Sequence, residues 1–370
     1  MEKISVGIAG LGFGKEFIGI YQDHPLVDKV AICTRNPDTL KKIGDEFKIP
    51  PWLRYTDYEE MLKNDELDAI HIVTPILLHA KQTLAALQAG KHTACTVPMG
   101  TSIDELKQIV AAKKASGKVY MMMETAVYTR EFLYVKSLYE SGKLGRIQFL
   151  RGSHMQDMGL EGWPDYWLGF PPMHYGTHAI SPLLCIDGKL AEYVIGHGSG
   201  RISPELVARY NSPFAVETVT IKRKDSDVMA EATRSLYDTV RQYRESFDVY
   251  GSKMSVEWEQ IQDEGACLFE GGESARRITV PDAYGNLPEE IIPYTKREQV
   301  VDKDHVSFIQ GAGHGGSHPH LVHEFVTAIV EGRDSALDAV VSANITAAGI
   351  LGHQSCMEGG SKIYIPDFDA

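Results

Sequence analysis

A chain of 370 residues is long enough for about two domains, and its 43% apolar and 24% charged composition is that of an ordinary globular protein. Its formal net charge of −13 argues against a nucleic-acid or anionic-membrane partner, both of which need a basic face. No run reaches about 18 apolar residues, so no transmembrane helix is expected. The five scattered cysteines (Cys33, Cys95, Cys185, Cys267, Cys356) show neither metal nor redox spacing and read as reduced thiols of a cytoplasmic protein.

The opening residues, MEKISVGIAG, read as a strand entered directly, without a cleavable leader. Strands are predicted at Ser5–Ala9, Val30–Thr34, Ala69–Val73, Thr93–Cys95 and Val119–Met122. They alternate with helices, which predicts a parallel sheet covered on both faces. After Thr101, Ser102 and Glu105 form a capping-box pattern, Leu106, Ile109 and Val110 give an apolar stripe, and Gly117 is a stop signal. From about Glu124 the texture changes. Strand-like runs at Ile147–Gly152, Val216–Arg223, Phe247–Tyr250 and Met254–Trp258 alternate with polar, Gly/Pro-rich loops, and helices are predicted near Leu321–Glu331 and Val340–Glu358.

Gly10-Leu11-Gly12-Phe13-Gly14 closes the first strand and opens a helix. Such a turn lets a pyrophosphate approach the backbone at a helix N-terminus, so Gly10, Gly12, Phe13 and Gly14 are candidate dinucleotide contacts. The third fingerprint position holds Lys15, with Gly14 one place early. An acidic residue about 20 residues on would bind the ribose 2′-hydroxyl of NAD. Thr34 and Arg35 stand there instead, and a hydroxyl beside a guanidinium suits a 2′-phosphate, which favours NADP(H) over NAD(H). The competing reading of Arg35 is a solvated surface residue.

Residues 68–99 read DAIHIVTPILLHAKQTLAALQAGKHTACTVPM. The order strand, Thr74-Pro75, His79 on a helix, Ala-Gly-Lys-His, then a strand ending at Pro98 resembles the Gfo/Idh/MocA oxidoreductases. That resemblance implies an α/β fold. Residues 1–123 would be a Rossmann dinucleotide-binding domain, and residues 124–370 an α+β domain with an open, mostly antiparallel sheet. It also implies that Thr74, Pro75, His79 and Pro98 lie at the cofactor, against a reading of His79 as a helix residue satisfied by a backbone carbonyl, and that the chain is a homodimer or homotetramer. The family's Glu-Lys-Pro tripeptide carries the usual acid/base lysine; here it is Thr96-Val97-Pro98, and Val97 cannot transfer a proton.

Another group must then serve. His174-Tyr175-Gly176-Thr177-His178, followed by Pro182, supplies His178 and Tyr175 as acid/base candidates, against a structural reading of His178. The segment resembles the Tyr-Pro-Thr-His of the NAD-dependent α-N-acetylgalactosaminidases, a glycosidase branch of the same superfamily. Met121-Met122-Met123-Glu124 with Tyr128, and His314-Gly315-Gly316, resemble two further patches of that branch. The branch oxidises a sugar at C3, eliminates the aglycone after loss of the C2 proton, adds water and reduces the ketone again. Glu124 is a candidate to assist, or else an ion-pair partner of Arg130.

Candidate substrate contacts are His154, Gln156, Trp163, His174 and His314. The Arg151–Asp157 segment with Trp163, Tyr166 and Trp167 suits a carbohydrate or an interface equally. His320, His323 and Glu324 match no metal motif, so no metal is expected. Three readings stay open: a nicotinamide-dependent oxidoreductase on a sugar, glycoside or cyclitol hydroxyl; a glycosidase or lyase with retained NAD(P); and a non-catalytic nucleotide- or sugar-binding protein.

Overall fold

The computed structural model describes residues 3–158, 169–241, 243–261, 264–272, 274–295, 299–301, 309–311 and 313–369. Trp163, Tyr166 and Trp167 lie outside them. Short apolar runs build the first sheet: β1 (Ile4–Ala9) is buried at every position, as a parallel strand covered on both faces must be. There follow α1 (Lys15–Asp23), β2 (Val27–Cys33), α2 (Pro37–Glu46), β3 (Arg54–Tyr55), α3 (Tyr58–Leu62), β4 (Ala69–Ile72), α4 (His79–Gln88), β5 (His92–Thr96), α5 (Ile103–Ser116) and β6 (Tyr120–Met123). The parallel order is β3-β2-β1-β4-β5-β6, so the winding reverses between β1 and β4, where such sheets open a ligand crevice. The capping box forms as predicted: Glu105 N donates to Ser102 Oγ and Ser102 N to Glu105 Oε2, while Gly117 ends α5 at φ 64°.

The second half adds α6 (Arg130–Glu140), β7 (Ile147–Met155), α7 (Thr177–Cys185), β8 (Ala191–Arg201), α8 (Pro204–Tyr210), β9 (Phe214–Arg223), β10 (Met229–Ser235), β11 (Arg244–Gly251), β12 (Met254–Glu257), β13 (Ala266–Glu270) and β14 (Arg276–Ile278). A separate pair, β15 (Gln299–Val301) and β16 (Ile309–Gly311), precedes α9 (His318–Glu331), α10 (Ala339–Met357) and β17 (Ile363–Tyr364). The nine-stranded sheet runs β14-β13-β12-β11-β7-β10-β9-β8-β17, antiparallel except for the parallel β7–β10 pair. The fold is thus α/β, a parallel sheet covered by helices followed by a mixed, mostly antiparallel one.

Strands β8 and β10 were not expected. β8 is interrupted by Gly196, Gly198 and Gly200, and the inward residues of β10 are Ala230, Ala232 and the charged Arg234, so neither shows plain apolar alternation. The inner face of this sheet carries α7. A Cβ on Gly152 would lie 2.0 Å from the Ala179 carbonyl oxygen, so that glycine lets α7 rest directly on β7. The C-terminal helices return to the first sheet, where Ser335 Oγ donates to Tyr120 O and His24 Nε2 meets His323 Nδ1 at 3.0 Å. No helix among the described residues is long and apolar enough to cross a membrane.

Candidate active site

A cavity of about 650 Å³ runs from the C-terminal ends of β1, β2, β4 and β5 to the inner face of the second sheet. One end is walled by Gly10, Gly12, Phe13, Thr34, Arg35 and Thr74. Gly10 sits at φ 94°, and a Cβ there would be 2.3 Å from the Val73 carbonyl oxygen, so only glycine fits. At Gly14 a Cβ would meet Gly10 O at 2.1 Å, which explains the early third glycine: Gly14 closes the turn, and the exposed Lys15 begins the helix. Gly12 differs, because a Cβ there would touch no protein atom and would stand in the cavity itself. No side chain caps α1. A turn with one glycine open to the cavity and an uncapped helix start fits a pyrophosphate.

At the rim, Arg35 is exposed and lines the cavity beside Thr34. Asn36 and Asp57 also line it, but each spends Oδ1 on helix caps, Asn36 on the Asp38 and Thr39 amides and Asp57 on those of Glu59 and Glu60.

His79 is a fastener. Its Nδ1 lies 2.7 Å from Pro98 O and its Nε2 2.8 Å from Thr74 O, so the ring ties the Thr74-Pro75 turn to the end of β5. Burial lowers its pKa against the pull of those two carbonyls, and a neutral imidazole donates to only one at a time. Thr74, Pro75 and His79 line the cavity. Pro98, expected at the cofactor, is not among the lining residues; it contributes its carbonyl to His79. Val97 does line the cavity, so an aliphatic side chain occupies the place of the family's lysine.

At the other end stand Gln156, Tyr175, His178, Tyr243 and His314. Behind them Glu124 is fully buried. Its Oε1 accepts from Ala126 N at 3.0 Å and from His178 Nδ1 at 2.5 Å, and its Oε2 has no partner among the described residues. Arg130, the partner considered for Glu124, pairs with Asp282 at 2.8 Å instead. His178 Nε2 faces the Tyr175 hydroxyl at 3.4 Å. Burial alone would lower the His178 pKa, but the carboxylates of Glu124 and Glu245, the latter 3.7 Å from Nδ1, outweigh it and hold the value above normal. Burial raises the Tyr175 phenol, with Arg234 pulling it down and Glu124 and Glu245 adding to the rise. Tyr243 hydrogen-bonds Glu245.

His154 is fully buried, with neither ring nitrogen partnered among the described residues, and lies edge-on to His178 (5.0 Å between centroids) and Tyr243 (4.9 Å). His314 sits at φ 43°, a strained value for a non-glycine residue. Its ring stacks 6.4 Å from His178 and its Nδ1 meets His318 Nε2 at 3.1 Å. Burial pushes His314 down to about 4.

His174, expected at the substrate, turns away: its ring packs 5.3 Å from His353, which is held by Glu217, and it does not line the cavity. It sits one residue before Tyr175 in a 3-10 turn, so the two rings diverge. His154 likewise stands behind the lining rather than in it. Trp163 lies outside the described residues. His320 Nε2 donates to Ala283 O at 2.9 Å, and no group of metal-ligating side chains occurs among the described residues. The sequence reading missed Tyr243, Glu245 and Arg234; all are polar residues in or beside inward strand positions, where a core residue is the default, and that departure was the available signal.

Residues 4–124 match the oxidoreductase family with an NAD-binding Rossmann fold, Gfo/Idh/MocA. Over 99% of this chain and 83% of the relative, it is 22% identical to a glycosyl hydrolase family 109 protein of Saccharopolyspora erythraea. It is 25% identical to an alpha-N-acetylgalactosaminidase of Shewanella oneidensis over 100% of this chain and 85% of that protein. Among solved structures, a levoglucosan dehydrogenase in complex with NADH and L-sorbose superposes with a TM-score of 0.79 at 19% identity, covering 99% of this chain and all of that one, a likeness of fold.

Proposed function

We propose that the chain, whose residues 4–124 match the Gfo/Idh/MocA oxidoreductase family, moves a hydride between a nicotinamide dinucleotide and a hydroxyl-bearing carbon of a small carbohydrate or cyclitol. His178 and Tyr175 carry the proton in place of the missing lysine. The observation that carries this reading is the buried Glu124–His178–Tyr175 line, of which His178 and Tyr175 line the same cavity as the glycine turn and Val97. Gly10, Gly12 and the start of α1 hold the pyrophosphate, and Thr34 with Arg35 hold a ribose 2′-phosphate, favouring NADP(H). When bound, the nicotinamide accepts or returns the hydride.

The protein side of the chemistry is proton handling. Glu124 accepts from His178 Nδ1, which fixes the tautomer and leaves Nε2 as the acceptor toward Tyr175. As the substrate C–H bond breaks, the hydroxyl proton passes to the Tyr175 oxygen and the Tyr175 proton to His178 Nε2. Gln156 and His314 contact the substrate at the cavity wall. The test is to follow reduced nicotinamide on a panel of hexoses, hexosides and cyclitols. His178→Gln should lose at least 100-fold in turnover, on the order expected for a general acid/base, with dinucleotide binding kept. Nucleotide binding without turnover on any substrate, in the wild type and the variant alike, would leave the non-catalytic binding protein standing.

A second reading is favoured by one observation: relatives matched along the full chain carry the names of glycosidases. There the same pair would take the C2 proton during a transient oxidation, and net reduced nicotinamide would not accumulate. Deuterium uptake at C2 of recovered product in heavy water separates the two.

A further inference from the structure

Arg234 stands at an inward position of β10 and is fully buried. Every hydrogen-bond partner described for it is neutral: Nε donates to Tyr175 O at 3.0 Å, Nη1 to His154 O at 3.1 Å and to Ser235 O, and Nη2 to Gln156 Oε1 at 3.0 Å. No carboxylate within ion-pair distance is described. A buried guanidinium without a counter-ion is costly, since desolvation is not repaid by a partner charge. Burial lowers its pKa to about 10, which leaves it a cation at neutral pH. The guanidinium carbon lies 5.4 Å from the centroid of the Tyr175 ring. It is therefore a fixed positive charge placed against a proposed proton carrier.

Its second effect concerns Gln156. Because Arg234 occupies Oε1, the amide orientation is determined, and Nε2 is left without a protein partner among the described residues. Gln156 lines the cavity. Its free N–H groups thus offer a donor to a substrate oxygen.

We propose that Arg234 is a positioning residue that supplies a positive charge without a direct ion-pair partner, biasing proton transfer at the Tyr175–His178 pair, while orienting the Gln156 amide as a donor to the substrate. The inference rests on the proton-carrier role proposed above for that pair. The groups facing the pair are Glu124 at the end of β6, Tyr243 and Glu245 beside and on β11, His154 on β7, His314 and Arg234. Among the described residues Arg234 is the one permanent cation in that set. It opposes Glu124 and Glu245, so its removal makes both Tyr175 and His178 hold their protons more tightly.

The experiment compares wild type, Arg234→Gln and Arg234→Lys by two readouts. One is the pH profile of kcat/KM; the other is the titration of His178 in carbon-labelled histidine NMR, assigned by its loss in His178→Gln. Arg234→Gln should move the acid limb and the His178 titration upward by about one pH unit, a tenfold loss at fixed pH on that limb. Arg234→Lys should keep both midpoints and raise KM several-fold, because one ammonium cannot hold four separate acceptors in the guanidinium's fork geometry. If Arg234→Gln does not bind dinucleotide or fold, the Lys variant decides: raised KM with retained kcat and profile supports the proposal, while lost kcat at unchanged KM overturns it. Equal losses in both variants with unmoved midpoints also overturn it. Absence of hydride transfer in the wild type would count against the proposed function alone, since the NMR titration still reads the charge.

Discussion

Replacing Glu124 by Gln removes a buried carboxylate while keeping its size. Gln retains an acceptor at Oε1 for the Ala126 amide and for His178 Nδ1. It also places an NH₂ where Oε2 now has no partner, a buried donor costing about 1–3 kcal/mol. Removing one member of a buried charged pair costs about 3–5 kcal/mol, so with the hydrogen bond kept the low end, about 3 kcal/mol, is expected while His178 is protonated. The His178 value is raised above 6.5 in the folded protein. A raised value contributes stability that is complete below the unfolded pKa and disappears as pH climbs through the folded one. The gap between wild type and Glu124→Gln should thus be widest near pH 6 and shrink near pH 9 toward ~1 kcal/mol, the low end of the cost of the unpaired Gln donor. Urea unfolding at both pH values, with fluorescence and circular dichroism as paired probes, measures it. A gap of the same size at both would refute the charged Glu124–His178 pair.

The two glycines of the turn should separate fold from binding. Gly12→Ala meets no protein atom and is expected to leave the melting temperature within a degree or two while weakening dinucleotide binding at least tenfold, about 1.4 kcal/mol, by calorimetry. Gly10→Ala collides with the Val73 carbonyl at positive φ and should cost about 1–3 kcal/mol of stability. Arg35→Ala should weaken NADP(H) about tenfold, with NAD(H) changed by less than twofold, in parallel titrations; unchanged affinity for both nucleotides would mean that Arg35 is a solvated residue. Ser102→Ala removes the α5 capping box and should destabilise by ~1 kcal/mol without altering turnover.

Much of the first half was legible because it depends on short-range physics. The β1 run, the glycine turn and the Ser102/Glu105 cap are set by neighbours within a few residues, and all of them stand in the structure where the pattern put them. Even the irregular third glycine was visible as an oddity, although only the 2.1 Å approach of a would-be Cβ on Gly14 to Gly10 O explains it. The second half was less legible. Strand β10 reads MAEATRS, and its inward small and charged residues carry no apolar alternation; they make sense only once α7 and Tyr175 are laid on top of them.

By itself the sequence determined the parallel first sheet, its dinucleotide turn, and the absence of a lysine at Val97, since these are properties of contiguous residues. Tertiary structure decided which polar residues gather beside that position. Glu124, His154, Tyr175, His178, Arg234, Tyr243 and Glu245 come from separate strands, turns and α7, and they come together only where the inner face of the second sheet and the C-terminal ends of the first border one cavity. The same placement sends His174 away from the cavity, one residue from a side chain that enters it. Charge coupling depends on distance and burial rather than on spacing along the chain, so the pairing of Glu124 with His178 instead of Arg130 could be settled only in three dimensions.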